Sequence, residues 1–390
     1  MTRVKGAADV VVAGGGPAGA LAAYVLARAG VQVRVIERHR FPRPKLCGDT
    51  LNPGALAALR RHVPVAAITK RGLPIGGMVL TGPTGVTIDG AYGPAGPGLA
   101  IVRSELDAWL LSAAADAGAV VEEGTLVTGP AIRDGRVGGV VTRRGGVDRI
   151  VAARLTIGAD GRRSRLALGL GLSRHPARPR RWAIGAYFDG VPGTAARGEM
   201  HVGRGSYVGV APLPGGLTNA CLVVGEPAAR QAAGAPAAAL MAALTGTPRL
   251  AARFAGRRPV APPVLLGPLA VDVTAAGVPG LLLAGDAAGF IDPITGDGLR
   301  LAFGGAEYAA EVALDVLGGR LDIHAAPAAL AARRLAAFRA KWRFNRALRR
   351  LLDVPGGVRG AAWVARAWPR AFAEIIRFAG DCSTWTRVSR

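Results

Sequence analysis

The stretch Asp9-Val-Val-Val-Ala-Gly-Gly-Gly-Pro-Ala-Gly19 decides the fold of this chain. A short apolar β-segment, residues 10–12, runs directly into a glycine-rich turn. A helix of small residues is predicted over 20–29, and a second β-segment is predicted over 31–36. Together these elements predict one βαβ unit of a Rossmann-like, dinucleotide-binding α/β domain.

The glycines of this turn have the spacing Gly14-x-Gly16-x-x-Gly19. Gly14 permits the tight turn, Gly16 lets the backbone approach a pyrophosphate, and Gly19 lets the helix pack closely on the strand. The pyrophosphate would then meet the positive N-terminal end of the helix. Pro17 and Ala18, which open that helix, belong to the same predicted cofactor site.

An acidic residue follows the second β-segment at the position that a dinucleotide fold requires. Glu37 lies 18 residues beyond Gly19, where a carboxylate typically binds a ribose hydroxyl. Its neighbour Arg38 is included in the predicted cofactor site. Because strand, helix, second strand and acid all occur in order, a Gly-rich turn without a ligand is the weaker interpretation.

Charge and aromatic content limit the classes of molecule that this chain is expected to bind. The 390 residues carry a net charge of +23, and only four of the 49 basic residues are Lys. This Arg excess fits an anionic cofactor or anionic lipid, or else Arg side chains spread over solvated faces. Aromatic residues make up 5% and do not interleave with basic runs, so no nucleic-acid partner is predicted.

Cysteine and histidine usage gives no sign of a metal site or a disulfide. The three Cys are far apart, and the five His show no HxxxH or HExxH pattern.

Arg3 and Lys5 before an apolar stretch imitate a signal peptide, but the glycine turn argues against one. No uninterrupted apolar run of 18 residues occurs, so we expect a cytoplasmic protein without a transmembrane helix.

A second signature occurs far downstream. A buried strand over 278–284 leads into Gly285-Asp286, which would place a carboxylate at the ligand-binding edge of the sheet. A helix predicted from 299 to about 317 would point its positive N-terminus at a bound ring. A simple strand–loop–helix turn is the alternative. The residues of this segment predicted to contact the cofactor are Gly285, Asp286, Pro293, Gly296, Gly298 and Leu299.

Three of these motifs together resemble a known family. The N-terminal Gly-Gly-Gly-Pro-Ala-Gly, the Gly-Ala-Asp160-Gly segment and Gly285-Asp286 are similar to the fingerprints of FAD enzymes related to para-hydroxybenzoate hydroxylase. The resemblance covers residues 8–320 and implies bound FAD. It implies that Glu37 holds the adenosine ribose and Asp286 the ribityl chain. It also implies that Asp160 lies near the pyrophosphate and has a connection with NAD(P)H.

Arg103, in Val102-Arg-Ser-Glu-Leu-Asp107, resembles the Arg that precedes a helix in that family, which implies a place at the flavin or pyrophosphate. From the residues alone, Ser104 and Asp107 form a capping box, and Arg103 is a surface residue before the helix. Asp160-Gly161 is likewise a plain turn on that view. No second GxGxxG follows a strand, so NAD(P)H would bind transiently, and reduction by another protein is equally possible.

The segment from Phe41 to Gly54, with Cys47-Gly48-Asp49 at its centre, is similar to the Cys-Gly segment of geranylgeranyl reductases. That resemblance implies catalytic roles for Cys47 and Asp49, with Cys47 and Gly48 beside the flavin. A small buried thiol is the alternative for Cys47. Gly289 replaces the His common in the aromatic hydroxylases, and no Trp-x-Trp-x-Ile-Pro motif of flavin halogenases occurs.

The expected architecture is a Rossmann-like FAD domain of the para-hydroxybenzoate hydroxylase type, an inserted antiparallel β-sheet substrate domain, and a C-terminal helical tail. Residues 120–157 are predicted to form a meander with turns at 134–135 and 145–146. The predicted boundaries are 1–70, 98–172 and 265–322 for the FAD domain, 71–97 and 173–264 for the substrate domain, and 325–390 for the tail.

The basic segment 333–352 of the tail is either an amphipathic helix on an anionic membrane or a helix that packs on the body. The first would make the protein peripheral to the inner face of the membrane.

The favoured function is an FAD-dependent reductase of C=C bonds in an isoprenoid or other hydrophobic small molecule. The alternative is an FAD-dependent monooxygenase that hydroxylates or epoxidises an aromatic, polyketide or lipid-like molecule. A binding protein without chemistry is disfavoured by the intact flavin motifs.

Overall fold

The computed structural model describes residues 8–82, 85–177, 180–193, 196–354 and 356–382. Arg3, Lys5 and the last residues of the predicted tail, 383–390, lie outside these ranges. None of the helices within them is both long and apolar enough to cross a membrane.

Strands and helices both occur up to residue 283, and the tail is helical. The strands are β1 (Ala8–Ala13), β2 (Val33–Ile36), β3 (Thr50–Leu51), β4 (Leu73–Ile75), β5 (Gly77–Thr81), β6 (Thr87–Ala91), β7 (Gly98–Ala100), β8 (Val120–Glu122), β9 (Leu126–Arg133), β10 (Arg136–Arg144), β11 (Val147–Gly158), β12 (Ser173–Arg174), β13 (Arg181–Asp189), β14 (Gly198–Val202), β15 (Tyr207–Pro212), β16 (Leu217–Gly225), β17 (Val264–Leu266), β18 (Asp272–Val273), β19 (Gly277–Val278) and β20 (Leu281–Leu283). The helices are α1 (Pro17–Arg28), α2 (Pro53–Arg60), α3 (Ala66–Arg71), α4 (Arg103–Asp116), α5 (Arg165–Gly169), α6 (Glu226–Ala232), α7 (Pro236–Thr245), α8 (Pro248–Phe254), α9 (Gly298–Leu317), α10 (Ala326–Asp353), α11 (Gly357–Ala367) and α12 (Pro369–Ala379).

The first sheet is the predicted Rossmann-like sheet, with strand order β19-β20-β11-β1-β2-β8. β1 pairs in parallel with β2 and β11, and Val12 stands opposite Val35 and Ile157. Val10, Val11 and Val12 are fully buried because helices cover one face of β1 and the meander covers the other. The predicted βαβ unit is therefore confirmed.

The meander is also confirmed, since β9, β10 and β11 run antiparallel with turns at 134–135 and 145–146. The strand predicted over 278–284 differs, because it divides into the hairpin β19–β20. Pro279 has no N–H for a sheet ladder, and Gly280 adopts a φ of +87°, so the chain turns between them.

The second sheet has the order β17-β13-β16-β15-β14-β5-β6 and is antiparallel except for the parallel pair β5–β14. One face packs on α6, α7 and α8 around the edge-to-face pair Phe188 and Phe254, whose ring centroids are 5.1 Å apart. The opposite face, which carries Cys221 and Met200, turns toward the segments 46–52 and 290–296 and the tail. The predicted domain boundaries remain predictions.

The tail helix α10 packs along α9, where Phe338 and Tyr308 stack with centroids 5.8 Å apart. Its buried polar residues bond to the loop before α9: Asn345 donates to the Asp292 carbonyl at 3.0 Å, and Arg334 donates to the Ala288 carbonyl. These contacts favour the packing interpretation of segment 333–352.

A buried cluster joins α9 to the end of α2. Glu307 on α9 accepts hydrogen bonds from Arg61 at 2.6 Å and pairs with His62 at 3.0 Å. Burial alone would raise the pKa of Glu307, but the bonds to His62 and Arg61 outweigh it and lower that pKa to about 2.

We expect Glu307→Gln to lower the free energy of unfolding by about 1–3 kcal/mol at neutral pH, because it removes charge-assisted hydrogen bonds. The folded pKa lies below the ordinary value of 4.5, so this stabilisation is present above pH 4.5 and is lost as the pH falls toward 2. Chemical denaturation at several pH values measures it. Glu311→Gln, one turn later at a more exposed ion pair, is the control, and equal losses in both variants would contradict the prediction.

Candidate FAD and substrate site

The glycine turn forms an open cradle at the start of α1. Gly14 has a φ of +98°, and a Cβ there would lie 2.5 Å from the Ala159 carbonyl oxygen. A Cβ on Gly19 would lie 1.9 Å from the Gly14 oxygen, so these two glycines are required by the fold itself. A Cβ on Gly16 meets nothing closer than an Arg43 nitrogen at 3.6 Å. The space beside Gly16 therefore fits a ligand, as its predicted role requires.

Glu37 lies buried at the end of β2, beside this cradle. Its two carboxylate oxygens accept the backbone N–H groups of Gly15 and His39, both at 2.8 Å. These bonds fix the carboxylate beside the N-terminus of α1 and leave lone pairs for a ribose hydroxyl.

A cluster of cations that the sequence analysis missed surrounds the cradle. Arg43, Lys45 and Arg162 join the predicted Arg103 there. Burial, reinforced by Arg103 and Arg162, lowers the pKa of Lys45, although Asp286 opposes that shift. The buried Arg43 Nε has no hydrogen-bond partner within the described residues. Cations crowded together at a helix N-terminus suit a diphosphate, and the Arg43-Pro-Lys45 sequence was the available signal.

Arg103 is buried, so the view of it as a surface residue is wrong. Its guanidinium makes a bidentate pair with Asp107, at 2.8 and 2.9 Å, one turn further along α4. The capping box is also wrong, because α4 begins at Arg103 itself, Val102 occupies the N-cap position, and no side chain caps it. Arg43 approaches the same Asp107 carboxylate at 3.4 Å, which links α4 to the cation cluster.

Asp160 lies in the turn between β11 and α5. One oxygen accepts the Arg165 backbone N–H at 2.8 Å, while the buried Oδ1 has no partner within the described chain. Burial raises the pKa of this carboxyl. Gly161 has a φ of +83°, so the turn interpretation holds as well. The Cα of Asp160 bounds the space beside Gly14, which places the residue next to the cradle.

The Gly285-Asp286 turn follows β20 and adjoins the start of α1. A Cβ on Gly285, whose φ is +60°, would lie 2.9 Å from the Ala18 methyl group. Asp286 is half-buried, and its charge partly offsets the lowering of the Lys45 pKa by burial. This signature thus lies next to the cation cluster.

The Cys47-Gly48-Asp49 turn lies where the two sheets meet. Asp49 is fully buried with a φ of +52°, and its carboxylate accepts the Arg103 backbone N–H at 3.1 Å. Asn219 on β16 donates to the other Asp49 oxygen and, at 2.8 Å, to the Cys47 carbonyl. Burial raises the pKa of Asp49 to about 6. Sequence reasoning missed Asn219, which comes from a distant strand without a motif.

These contacts favour a positioning role for Asp49, because both of its oxygens are engaged and neither faces the cavity described below. Burial alone would lower the pKa of Arg103, but Asp107, with a smaller contribution from the nearby Cys47, raises that pKa above its ordinary value. The catalytic assignment of both residues stays a prediction.

The loop before α9 is held from both sides. Asp292 accepts a hydrogen bond from Tyr207 of the second sheet at 2.6 Å and approaches Arg181 at 3.4 Å. From the tail, Asn345 donates to Thr295 at 3.0 Å. The loop residues Pro293 and Gly296 are therefore fixed in the wall of the cavity.

Helix α9 begins at Gly298 with buried Leu299 after it, as predicted. Asp297 occupies the N-cap position without capping the helix through its side chain. Instead it accepts from Asn52 at 3.1 Å and lies 3.4 Å from Lys341 of α10. Burial raises the pKa of Asp297 to about 6, against the opposing effect of Lys341.

Two neighbouring cavities lie between the second sheet, this loop and the tail. The inner chamber, about 100 Å³, is bounded by Gly48, Asn219, Cys221 and the 293–296 loop. The outer groove, about 230 Å³, is almost wholly apolar and lies between β5, β14 and helices α10, α11 and α12. They share Met78, Met200, Thr295, Ile376 and Ala379, so the two cavities adjoin along these five residues.

Comparison with known proteins agrees with this geometry. Residues 7–239 match the family described as the FAD binding domain, and the chain therefore belongs to that family. It is a FAD-dependent oxidoreductase of the para-hydroxybenzoate hydroxylase-like superfamily, in the geranylgeranyl reductase-like group.

Its relatives include two reductases. It is 33% identical to menaquinone reductase of Mycolicibacterium smegmatis, over 78% of this chain and 76% of the relative. It is 30% identical to digeranylgeranylglycerophospholipid reductase 2 of Methanothermobacter thermautotrophicus, over 80% of each chain. Among solved structures, the flavin-dependent brominase Bmp2 superposes with a TM-score of 0.84 at 20% identity, covering 96% of this chain and 94% of that one. That likeness concerns the fold alone.

We expect Gly16→Val to abolish FAD binding while the protein stays folded, because the new side chain fills the ligand side of the cradle and meets no backbone. Flavin absorbance per protein and circular dichroism measure the two effects. Gly19→Ala is the matched comparison, since its Cβ collides with Gly14 and should destabilise the fold itself. Stoichiometric FAD in folded Gly16→Val protein would overturn the cradle assignment.

The Asp297 carboxylate should oppose the positive end of α9. Above pH 6 it is ionised, disfavours negative charge on a reduced flavin ring and lowers the two-electron potential. Asp297→Asn should therefore raise the potential at pH 8 by up to a few tens of millivolts, at about 30 mV per 1.4 kcal/mol, with little change at pH 5. Dye-equilibration titration measures this. Asp315→Asn, near the opposite end of α9, is the control, and identical potentials in wild type and Asp297→Asn at pH 8 would refute the proposal.

Proposed function

We propose that this chain is an FAD-dependent reductase that saturates C=C bonds of an isoprenoid or other lipophilic molecule. The observation that carries the proposal is the pair of adjoining cavities that extends from Gly48 to the outer groove. The inner chamber adjoins the Cys47-Gly48-Asp49 turn, and the outer groove is almost wholly apolar. Such a shape suits a molecule with a reacting group at one end and a hydrocarbon chain at the other.

The chemistry follows from what each part holds. Bound, reduced FAD supplies a hydride to one carbon of a double bond, and a proton must reach the neighbouring carbon. The chain's own residues orient the turn: Asn219 and the Arg103 backbone N–H hold Asp49, and Asn219 holds the Cys47 carbonyl. We assign Cys47 and Gly48 to the flavin side of this turn. The loop 293–296 closes the facing wall of the inner chamber.

One row of residues across the second sheet leaves room for a substrate. Gly185, Cys221 and Gly209 lie side by side on adjacent strands, with Met200 next in the row, so three of these four residues are small. Of the four, Cys221, Gly209 and Met200 line the inner chamber. A Cβ on Gly209 would meet nothing closer than 3.9 Å, whereas one on Gly185 would lie 2.3 Å from Leu46. Gly209 thus leaves open space. Gly185 lets Leu46, and with it the Cys47-Gly48-Asp49 turn, approach the sheet.

The names of the two reductase relatives support the substrate class, because menaquinone and a digeranylgeranyl lipid both carry isoprenoid chains. The electrons are proposed to come from NAD(P)H bound transiently, or from a partner protein, because no second glycine motif of the dinucleotide type follows a strand. An FAD-dependent monooxygenase, the alternative given by the sequence, is the second candidate.

The test is anaerobic photoreduction of the flavoprotein followed by mixing with a geranylgeranyl lipid. We expect the flavin to reoxidise without oxygen and the lipid to gain two hydrogen atoms, one from flavin and one as a proton, by mass spectrometry. Reoxidation that needs oxygen, with an oxygen atom added to the product, would instead establish the monooxygenase.

A cavity variant sharpens this experiment. Gly209→Val should narrow the inner chamber and lower kcat/KM on the order of tenfold or more, while FAD content stays unchanged. Gly129→Val, on β9 of the first sheet where a Cβ also meets open space, is the matched control. Equal turnover in both variants would mean that the substrate does not enter the inner chamber.

A further inference from the structure

Helices α11 and α12 have two faces with different chemistry. Their inner faces wall the outer groove with Val358, Ala362, Ala365, Phe372 and Ile376. These residues recur at helical spacing of three and four, so one stripe of each helix is committed to the groove. The opposite stripe of both helices faces solvent.

That outer stripe carries the two most exposed tryptophans of the described chain. Trp363 is 71% exposed and Trp368, between the two helices, is 63% exposed. Arg359 and Arg366 stand four residues before and three residues after Trp363, on the same side of α11. Trp is usually well buried, and its rings are enriched where an apolar body meets a charged, wet surface.

The charge of this stripe is strongly positive and uncompensated. Arg359, Arg366 and Arg370 are exposed and make neither an ion pair nor a hydrogen bond with any described residue. Glu374, the acid of these two helices, is engaged with Arg377. By contrast, Arg334 and Lys341 of α10 turn inward and bond to the loop before α9 and to the end of α12.

We propose that the outer stripe of α11 and α12, with Trp363 and Trp368 as anchors and Arg359, Arg366 and Arg370 as cations, docks on an anionic lipid bilayer. Exposed Trp and Arg on short amphipathic helices fit the headgroup region of such a surface. The proposal rests on the proposed function in one respect: a lipophilic substrate would leave the bilayer beside the wall of the outer groove.

This assignment moves the membrane contact away from the segment that the sequence suggested. Segment 333–352 belongs to α10, whose buried polar residues hold the loop and whose exposed apolar residue is Leu335. Its exposed Arg339, Arg343 and Arg346 carry the same charge as the docking cations but lack an exposed Trp beside them. They therefore provide a matched control for charge alone.

The test is flotation of the FAD-loaded full chain with vesicles of phosphatidylcholine, alone or mixed with phosphatidylglycerol. The wild type should float with the mixed vesicles and remain behind with pure phosphatidylcholine. Trp363→Ala with Trp368→Ala, and separately R359Q with R366Q and R370Q, should each weaken partition at least tenfold. R339Q with R343Q and R346Q should change it less than threefold. Circular dichroism and FAD content confirm that each variant is folded.

Several outcomes would overturn the docking surface. The proposal would be wrong if the wild type failed to float, or if the two triple Arg variants lost vesicle binding equally. It would also be wrong if the double Trp variant bound vesicles as well as the wild type. Binding to an RNA oligonucleotide but not to vesicles would assign the stripe to nucleic acid instead.

Activity measurements distinguish a failure of the docking surface from a failure of the proposed reductase function. The double variant Trp363→Ala with Trp368→Ala should reduce detergent-dispersed lipid at the wild-type rate. On lipid embedded in vesicles it should act at least tenfold more slowly than the wild type. If no variant or wild type reduces either form while flotation follows the pattern above, the function fails and the docking surface stands.

Discussion

A single buried carboxylate holds the two halves of the site together. Asp49 sits at a positive φ with no exposed surface, and it is bound by the first N–H of α4 and by the side chain of Asn219. The α4 side carries Arg103 and the cation cluster, and the Asn219 side carries the floor of the chamber. Burying a carboxylate is costly unless hydrogen bonds compensate it, so the turn and the sheet must form together.

The position of the tail also depends on buried polar contacts. Lys341 of α10 binds Asp297, Asp381 and the carbonyls of Phe378 and Ala379, so one ammonium joins the start of α9 to the end of α12. The helices that wall the outer groove are thereby fixed to the helix that we expect to face the flavin ring. A substitution in the tail that breaks the contacts of Lys341 should therefore alter the start of α9, where we expect the flavin ring.

Sequence patterns predicted the parts that depend on local chemistry. The glycine turn, Glu37, the meander turns and the start of α9 follow from spacing and backbone freedom, and the structure has them where expected. Asn219 and Lys341 could not be predicted, because each acts through contacts with segments distant in sequence. The capping box failed for a related reason: Arg103 is drawn into the interior by Asp107, and the helix begins two residues earlier than a capping box at Ser104 requires.

A crystal structure of the FAD-bound protein with a short-chain isoprenoid lipid tests the central claim most directly. The account predicts that the reacting end lies between Gly48 and Thr295 in the inner chamber. It predicts that the hydrocarbon chain passes Met200 and Ile376 into the outer groove, toward Leu348. A lipid bound on the α6–α8 side of the second sheet, or a chamber closed off from the flavin ring, would contradict it.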